Sequence, residues 1–270
     1  MTHSEILSAD PPQAGMRLSY GDDPLNFGDL RLPDGGGPHP VIVVVHGGFW
    51  RARYDLEHIG LACQALTTAL GAATWSLEYR RIGNPGGGWP GTFLDVSGGL
   101  DHVRLLASPY NLDLSRVVTI GHSAGGHLAL WLAARGRIPP ESSLYSDPLL
   151  ALRGAVSLAG VLDLRLAYEL GLSGGVVEEF LGGSPSEVPQ RYIEASPIRL
   201  LPLGVPQVLL HGTEDEPVPY KISQLYAEAA LAAGDGVELV TLPGCGHFEL
   251  IDPQSEQWDT VVQAVRGLLS

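Results

Sequence analysis

Val117-Val118-Thr119-Ile120-Gly121-His122-Ser123-Ala124-Gly125 runs directly into Leu128-Ala129-Leu130-Trp131-Leu132. The stretch reads as a β-branched strand, a serine between glycines and an apolar helix, and it decides the fold. A strand that turns sharply into a helix holds the serine at the tip of a strained backbone, which only small neighbours tolerate. Gly121 and Gly125 supply that room. The helix that follows aims its unpaired N–H groups and the positive end of its dipole back at the tip, where an oxyanion develops during acyl transfer. Ser123 is therefore the candidate nucleophile. A glycine-bearing turn with an incidental serine is the alternative, and the strand before and helix after weigh against it.

Working outward, apolar runs over residues 41–46, 73–79, 117–120, 154–158, 206–210 and 237–242 alternate with helical patterns over 56–70, 93–106, 125–135, 221–233 and 254–269. That alternation predicts a mostly parallel sheet with helices on both faces. Residues 16–32 read as one or two antiparallel edge strands, followed by the turn-rich Pro33-Asp34-Gly35-Gly36-Gly37-Pro38. The stretch 161–202, broken by Ser173-Gly174-Gly175 and Gly182-Gly183-Ser184-Pro185, reads as a small lid-like insertion over the carboxyl edge of the sheet. A single domain over residues 1–270 is expected, with a flexible N-terminal stretch at 1–15.

A serine hydroxyl needs a base, and the base needs an acceptor that holds its ring and stabilises the imidazolium. His247 fits the base, in the glycine-rich loop Pro243-Gly244-Cys245-Gly246-His247-Phe248 after the last strand. His211 and His122 are rivals. His211 ends a strand just before the acid-bearing turn, and the His122 side chain is expected to point away from the elbow tip. Asp215 fits the acid in His211-Gly212-Thr213-Glu214-Asp215-Glu216-Pro217-Val218-Pro219, where Val218 and the two prolines would anchor the turn. Glu214, Glu216 and the earlier Asp163 are its competitors. Finally, His46-Gly47-Gly48-Phe49-Trp50 follows the run 41–45, and its glycines admit close approach of a ligand to the backbone. Main-chain N–H groups of Gly48 and Phe49 would join that of Ala124 as the oxyanion hole. Trp50, Phe49 and Trp89 are expected to line an aromatic-accepting pocket, with Trp50 and Trp89 as substrate-binding residues; ordinary packing is the alternative for all three.

Composition narrows the partners. The formal net charge of −14 argues against nucleic-acid and anionic-membrane surfaces, which need clustered Lys and Arg. With 44% hydrophobic residues and no apolar stretch of membrane-span length, a soluble globular chain is expected. Residues 1–10 lack a basic and an apolar leader region, so a cytoplasmic location is expected. Cys63 and Cys245 are far apart and expected to be free thiols, and Cys245 reads as a small turn residue rather than as a nucleophile or redox switch. The nine histidines form no close ligand pair, so neither a metal nor another cofactor is expected. The expected partner is a small-molecule ester or amide, and a homodimer is compatible with the sequence.

These residues resemble the α/β-hydrolase superfamily, and more narrowly its kynurenine formamidase (arylformamidase) and related small-esterase branch. The resemblance rests on His46-Gly47-Gly48-Phe49-Trp50, Glu78-Tyr79-Arg80, Gly121-His122-Ser123-Ala124-Gly125-Gly126-His127-Leu128 and Gly246-His247-Phe248-Glu249, and spans nearly everything from Met16 onward. It implies an α/β-hydrolase fold, Ser123, Asp215 and His247 as triad, and Gly48, Phe49 and Ala124 as oxyanion donors. The motifs specify a serine hydrolase more sharply than a substrate, because the same oxyanion loop is similar to loops in esterases and in prolyl-oligopeptidase-like hydrolases. An ester or aryl formamide is the expected substrate. An exopeptidase or amidase of the prolyl-oligopeptidase kind and a non-catalytic binding protein are the alternatives.

Overall fold

Strands β1 (Met16–Ser19), β2 (Phe27–Arg31), β3 (His39–Val45), β4 (Ala73–Leu77), β5 (Leu112–His122), β6 (Gly154–Leu158), β7 (Gln207–Gly212) and β8 (Val237–Leu242) form one eight-stranded sheet in the order β1-β2-β4-β3-β5-β6-β7-β8. The structure, a computed structural model, describes residue 12 and residues 15–270. The flexible stretch expected over 1–15 lies, apart from Pro12 and Gly15, outside the described residues. β1 and β2 pair antiparallel, as expected for residues 16–32, and β2 joins the edge of β4 in the same sense. All other pairings are parallel.

The central strands are buried and largely apolar because both faces are covered. On β3, Val41, Val43 and Val45 face one buried cluster with Trp75, Phe93, Leu128 and Trp131. Ile42 and Val44 face the other, with Leu66, Ile120, Val261 and Val265. Helices α1 (Gly60–Leu70), α2 (Gly91–Asp101), α3 (Val103–Ala107), α4 (Ala124–Ala133), α5 (Leu164–Glu169), α6 (Leu172–Leu181), α7 (Pro189–Ala195), α8 (Lys221–Ala232) and α9 (Trp258–Leu269) account for the helical patterns. This is the α/β-hydrolase fold. β5 is longer than its apolar run: residues 112–116 interleave Asp113, Ser115 and Arg116 with two leucines and meet β3 only where Leu112 pairs His39, ahead of an irregularity in register.

The insertion is clamped to the core rather than laid loosely over it. Trp131 Nε1 on α4 donates to the Glu194 carbonyl at 2.8 Å, and His127 Nε2 donates to the Ala195 carbonyl at 2.8 Å. Phe180 of α6 stacks on Trp50 with ring centres 4.5 Å apart. At the start of α6 a left-handed corner, with φ of 47° at Ser173 and 71° at Gly174, carries Ser173 to the border of the pocket that Ser123 lines.

Candidate active site

The carboxyl ends of β3, β5, β7 and β8 share one edge of the sheet, so the loops that follow them converge. At the end of β5, Ser123 sits at φ 58° and ψ −122°, a left-handed conformation strained for a side-chain-bearing residue by about 1–3 kcal/mol. The elbow survives because its neighbours leave no space for anything larger. A Cβ on Gly121 would lie 2.1 Å from the Gly125 carbonyl oxygen, and one on Gly125 would lie 2.0 Å from that of Val45. The Ser123 N–H donates to the Leu158 carbonyl at 2.8 Å, fastening the tip to β6.

The acid turn and the histidine loop are tied to one another before their side chains meet. Thr213 N–H donates to the Leu242 carbonyl and Glu214 N–H to the Cys245 carbonyl, both at 3.0 Å, while Gly244 N–H donates to Thr213 Oγ1 at 3.0 Å. On that frame His247 Nδ1 donates to Asp215 Oδ2 at 2.6 Å. Asp215 Oδ1 accepts from the Val218 N–H at 2.8 Å, so buried Val218 does fix the carboxylate's direction. Burial opposes the Asp215 charge, but hydrogen bonds from His211 and His247, the His247 charge and the Val218 N–H outweigh it and hold the carboxyl well below the usual range. The competing acids stand elsewhere: Glu214 and Glu216 are exposed, and Asp163 caps α5 by accepting from the Arg165 and Leu166 N–H groups.

Ser123 and His247 line the same pocket, together with Gly48, Phe49, Arg53, Tyr54, His58, His122, Ser173, Pro217 and Phe248. Among the described residues no hydrogen bond joins Ser123 to His247, a separation common in unliganded sites whose catalytic bonds tighten on substrate. The cavity encloses about 140 Å³.

The loop after β3 is the third component. Gly48, Phe49 and Trp50 all have positive φ, at 106°, 50° and 54°. Gly47 passes so close to the elbow that a Cβ there would lie 2.7 Å from the His122 carbonyl oxygen. Among the described residues nothing accepts from the N–H groups of Gly48, Phe49 or Ala124, which leaves all three free for an oxyanion. Beneath the loop lies a buried polar group that sequence reasoning saw only as a strand end. Glu78 Oε1 faces His46 Nε2 at 3.2 Å and Arg81 Nη2 at 3.0 Å, and Glu78 accepts from the N–H groups of Tyr79 and Leu56. Tyr79 Oη donates to the His46 carbonyl at 2.8 Å. Burial opposes the Glu78 charge, and His46, Arg81 and the Tyr79 N–H overcome it and lower its pKa.

Three expectations need correction. Trp50 is fully buried between Phe180 and His127, outside the pocket wall. Trp89 is half-buried against Phe93 and Arg191, also outside it, its backbone N–H held by the Phe180 carbonyl. Both are packing residues here: the left-handed turn at 48–50 swings the Trp50 ring into the core, and the insertion covers Trp89. The His122 side chain does not point away from the site. Its Nε2 donates to the His247 carbonyl at 2.9 Å and its ring lies 4.5 Å from that of His247, so it supports the histidine loop from the elbow. Burial and then the neighbouring His247 charge push the His122 pKa well down. Burial also pushes the Cys245 thiol up to about 11, in keeping with a turn residue.

Of the pocket wall, sequence reasoning named Gly48, Phe49, Ser123 and His247 for chemistry and missed Arg53, Tyr54, His58, Ser173, Pro217 and Phe248. Phe248 adjoins His247, and Pro217, read above only as an anchor of the acid turn, lies two residues after Asp215, so both were within reach. Arg53, Tyr54 and His58 follow the oxyanion loop with no pattern of their own, and Ser173 arrives from the insertion.

The profile of the family described as BD-FAE matches residues 29–230. The chain belongs to the BD-FAE family. A probable isoprenylcysteine alpha-carbonyl methylesterase of Arabidopsis thaliana is 27% identical over 278 residues, covering 95% of this chain and 56% of the relative. The acylamino-acid-releasing enzyme of Mus musculus is 24% identical over 259 residues, covering 91% of this chain and 34% of that enzyme. The chain thus spans between a third and about half of these relatives' lengths. Among solved structures, a truncated form of a carbohydrate esterase from gut microbiota superposes with a TM-score of 0.77 at 22% identity, covering 96% of this chain and 98% of that one. This BD-FAE chain therefore shares its fold with that structure over nearly its whole length.

Proposed function

We propose that the chain is a serine esterase that cleaves a small carboxylic ester, or an aryl formamide, by two-step acyl transfer. The observation that carries this reading is the 2.6 Å His247–Asp215 bond at the wall of a pocket that also holds the strained Ser123. His247 Nε2 takes the Ser123 hydroxyl proton as Oγ attacks the acyl carbon, and Asp215 balances the imidazolium. The oxyanion is met by the N–H of Ala124 and those of Gly48 and Phe49. Collapse breaks the bond to the leaving oxygen or nitrogen, which takes the proton from His247, and water repeats the sequence to release the acid and free the serine.

The size of the cavity favours small acyl groups, since a void of about 150 Å³ in another protein admits a benzene ring. Phe49, Tyr54 and Phe248 on its wall favour an aromatic leaving group, which keeps the formamide reading beside the ester one. A fluorophosphonate probe tests the mechanism: labelling at Ser123, lost in Ser123→Ala, is expected, and an unlabelled chain overturns it. Turnover of short p-nitrophenyl esters against N-formylkynurenine then separates the two bonds. Fast ester cleavage with negligible formamide cleavage removes the formamidase reading.

A further inference from the structure

Arginines crowd the oxyanion side of the site, and their partners differ. Arg51 pairs with Glu179 at 3.2 Å, Arg80 with Asp95 at 2.6 Å, and Arg81 with Glu78 at 3.0 Å. Arg53 lines the pocket and, among the described residues, has no carboxylate within ion-pair distance. That is notable in a chain with 30 acidic and 16 basic residues, where an exposed guanidinium has acids to choose from. Nor is the side chain adrift. Its Cζ lies 4.7 Å over the Tyr54 ring, a cation–π contact, and the backbone on either side is pinned. Ala52 N–H donates to the Ile82 carbonyl at 2.9 Å, and Arg81 reaches the Tyr54 carbonyl.

The rest of the wall contains no carboxylate. Burial, with the His46 charge adding to it, pushes the His58 pKa down to about 3, and His122 is also held neutral, so neither competes as a cation near neutral pH. Arg53 is thus a fixed positive charge at the rim of a cavity closed by Phe49, Tyr54 and Phe248.

We propose that Arg53 is a specificity residue that selects esters carrying a free carboxylate, paired to its guanidinium while the ester carbonyl sits at Ser123. The proposal rests on the esterase reading and names its substrate class. A guanidinium presents a planar fork of donors that a carboxylate matches with two parallel hydrogen bonds. Arg53 is exposed at the mouth of the cavity, so solvent screens the pair and its contribution is modest, felt as a difference between anionic and neutral substrates.

The test compares substrates that differ only by a carboxylate in place of a methyl group: monoethyl glutarate against ethyl valerate for the acyl side, and 4-acetoxybenzoate against p-tolyl acetate for the alcohol side. The wild-type chain is expected to prefer the anionic member of at least one pair. In Arg53→Gln the ratio of kcat/KM for the anionic over the neutral member should fall about tenfold, mostly through KM, and Arg53→Glu should lower it further. A merely structural role would move both members of a pair alike. The wild-type preference should also shrink as salt is raised. Hydrolysis of the neutral esters with no anionic preference, or with a ratio untouched by Arg53→Glu, overturns this proposal and leaves the esterase reading standing. A chain that hydrolyses none of the four and does not label at Ser123 overturns both.

Discussion

Two buried histidine–carboxylate pairs flank Ser123, and they do different work. His46 and Glu78 meet at 3.2 Å beneath the oxyanion loop, and His247 and Asp215 meet at 2.6 Å on the other side. In the first pair every polar atom is committed: Glu78 also has Arg81 as a permanent counter-ion, and His46 Nδ1 faces the Gly47 carbonyl at 2.9 Å. In the second, Asp215 has no arginine or lysine partner among the described residues, and the far side of the His247 ring opens on the pocket with Ser123. A carboxylate already neutralised by a cation gains little when its histidine becomes charged. One that waits on its histidine gains a great deal, which is what proton transfer needs. The same residue types therefore make a strut in one place and a proton-handling pair in the other.

The contrast breaks most sharply under amide substitution. Asp215→Asn should lower kcat by about 10⁴, the loss seen when a triad acid becomes an amide elsewhere, while the chain stays folded. Stopped assays with a p-nitrophenyl ester check it, and a loss under tenfold would mean that His247 works without Asp215. Glu78→Gln should act mainly on stability. It strands Arg81, only 3% exposed, without its counter-ion, and loss of one partner of a buried pair costs about 3–5 kcal/mol. Urea unfolding measures this; a stability change below about 1 kcal/mol joined to a collapse in kcat would reverse the roles assigned to the two pairs.

How far the sequence carried this contrast depends on the residue. The glycines around Ser123, the apolar run before it and the D-x-x-V-P turn around Asp215 are local signals, because strained turns and parallel strands constrain their own residues. The strut was invisible for the opposite reason. Glu78 is one charge at the end of an apolar strand, and its partners His46 and Leu56 come from the connection after β3, far off in sequence, with only Arg81 on its own loop. Trp50 and Trp89 misled because an aromatic beside a glycine loop looks the same whether its ring turns to the pocket or to the core. Backbone dihedrals at 48–50 and the covering insertion decide that, and neither is written locally.

Acid titration tests what the pairs share. Both carboxyls are held below their ordinary range in the folded chain, so the unfolded chain binds more protons as pH drops. Their stabilisation is fully present above the unfolded carboxylate pKa of about 4 and is lost as pH falls below it toward the lowered folded values. Stability of the wild type should therefore decline below about pH 4, and the decline should be shallower in both Asp215→Asn and Glu78→Gln. An unchanged slope in either variant would show that its carboxyl is not linked to folding.

The smallest expected effect sharpens the contrast from within the second pair. Asp215 Oδ2 lies near two histidines, His247 at 2.6 Å and the fully buried His211 at 3.3 Å. His211 Nε2 also donates to the Val218 carbonyl at 2.9 Å, and its Nδ1 and Ser223 Oγ are hydrogen-bonded at 2.7 Å. Through Nε2, His211 is a donor that steadies the Asp215 turn. His211→Phe removes the donor and should lower kcat about tenfold with little change in KM, since the substrate does not touch it. His211→Gln keeps an N–H able to reach Val218 and Asp215 and should recover part of that loss. Equal losses in both variants would show that the ring's volume matters and the hydrogen bond does not, and Asp215 would then owe its orientation to Val218 alone.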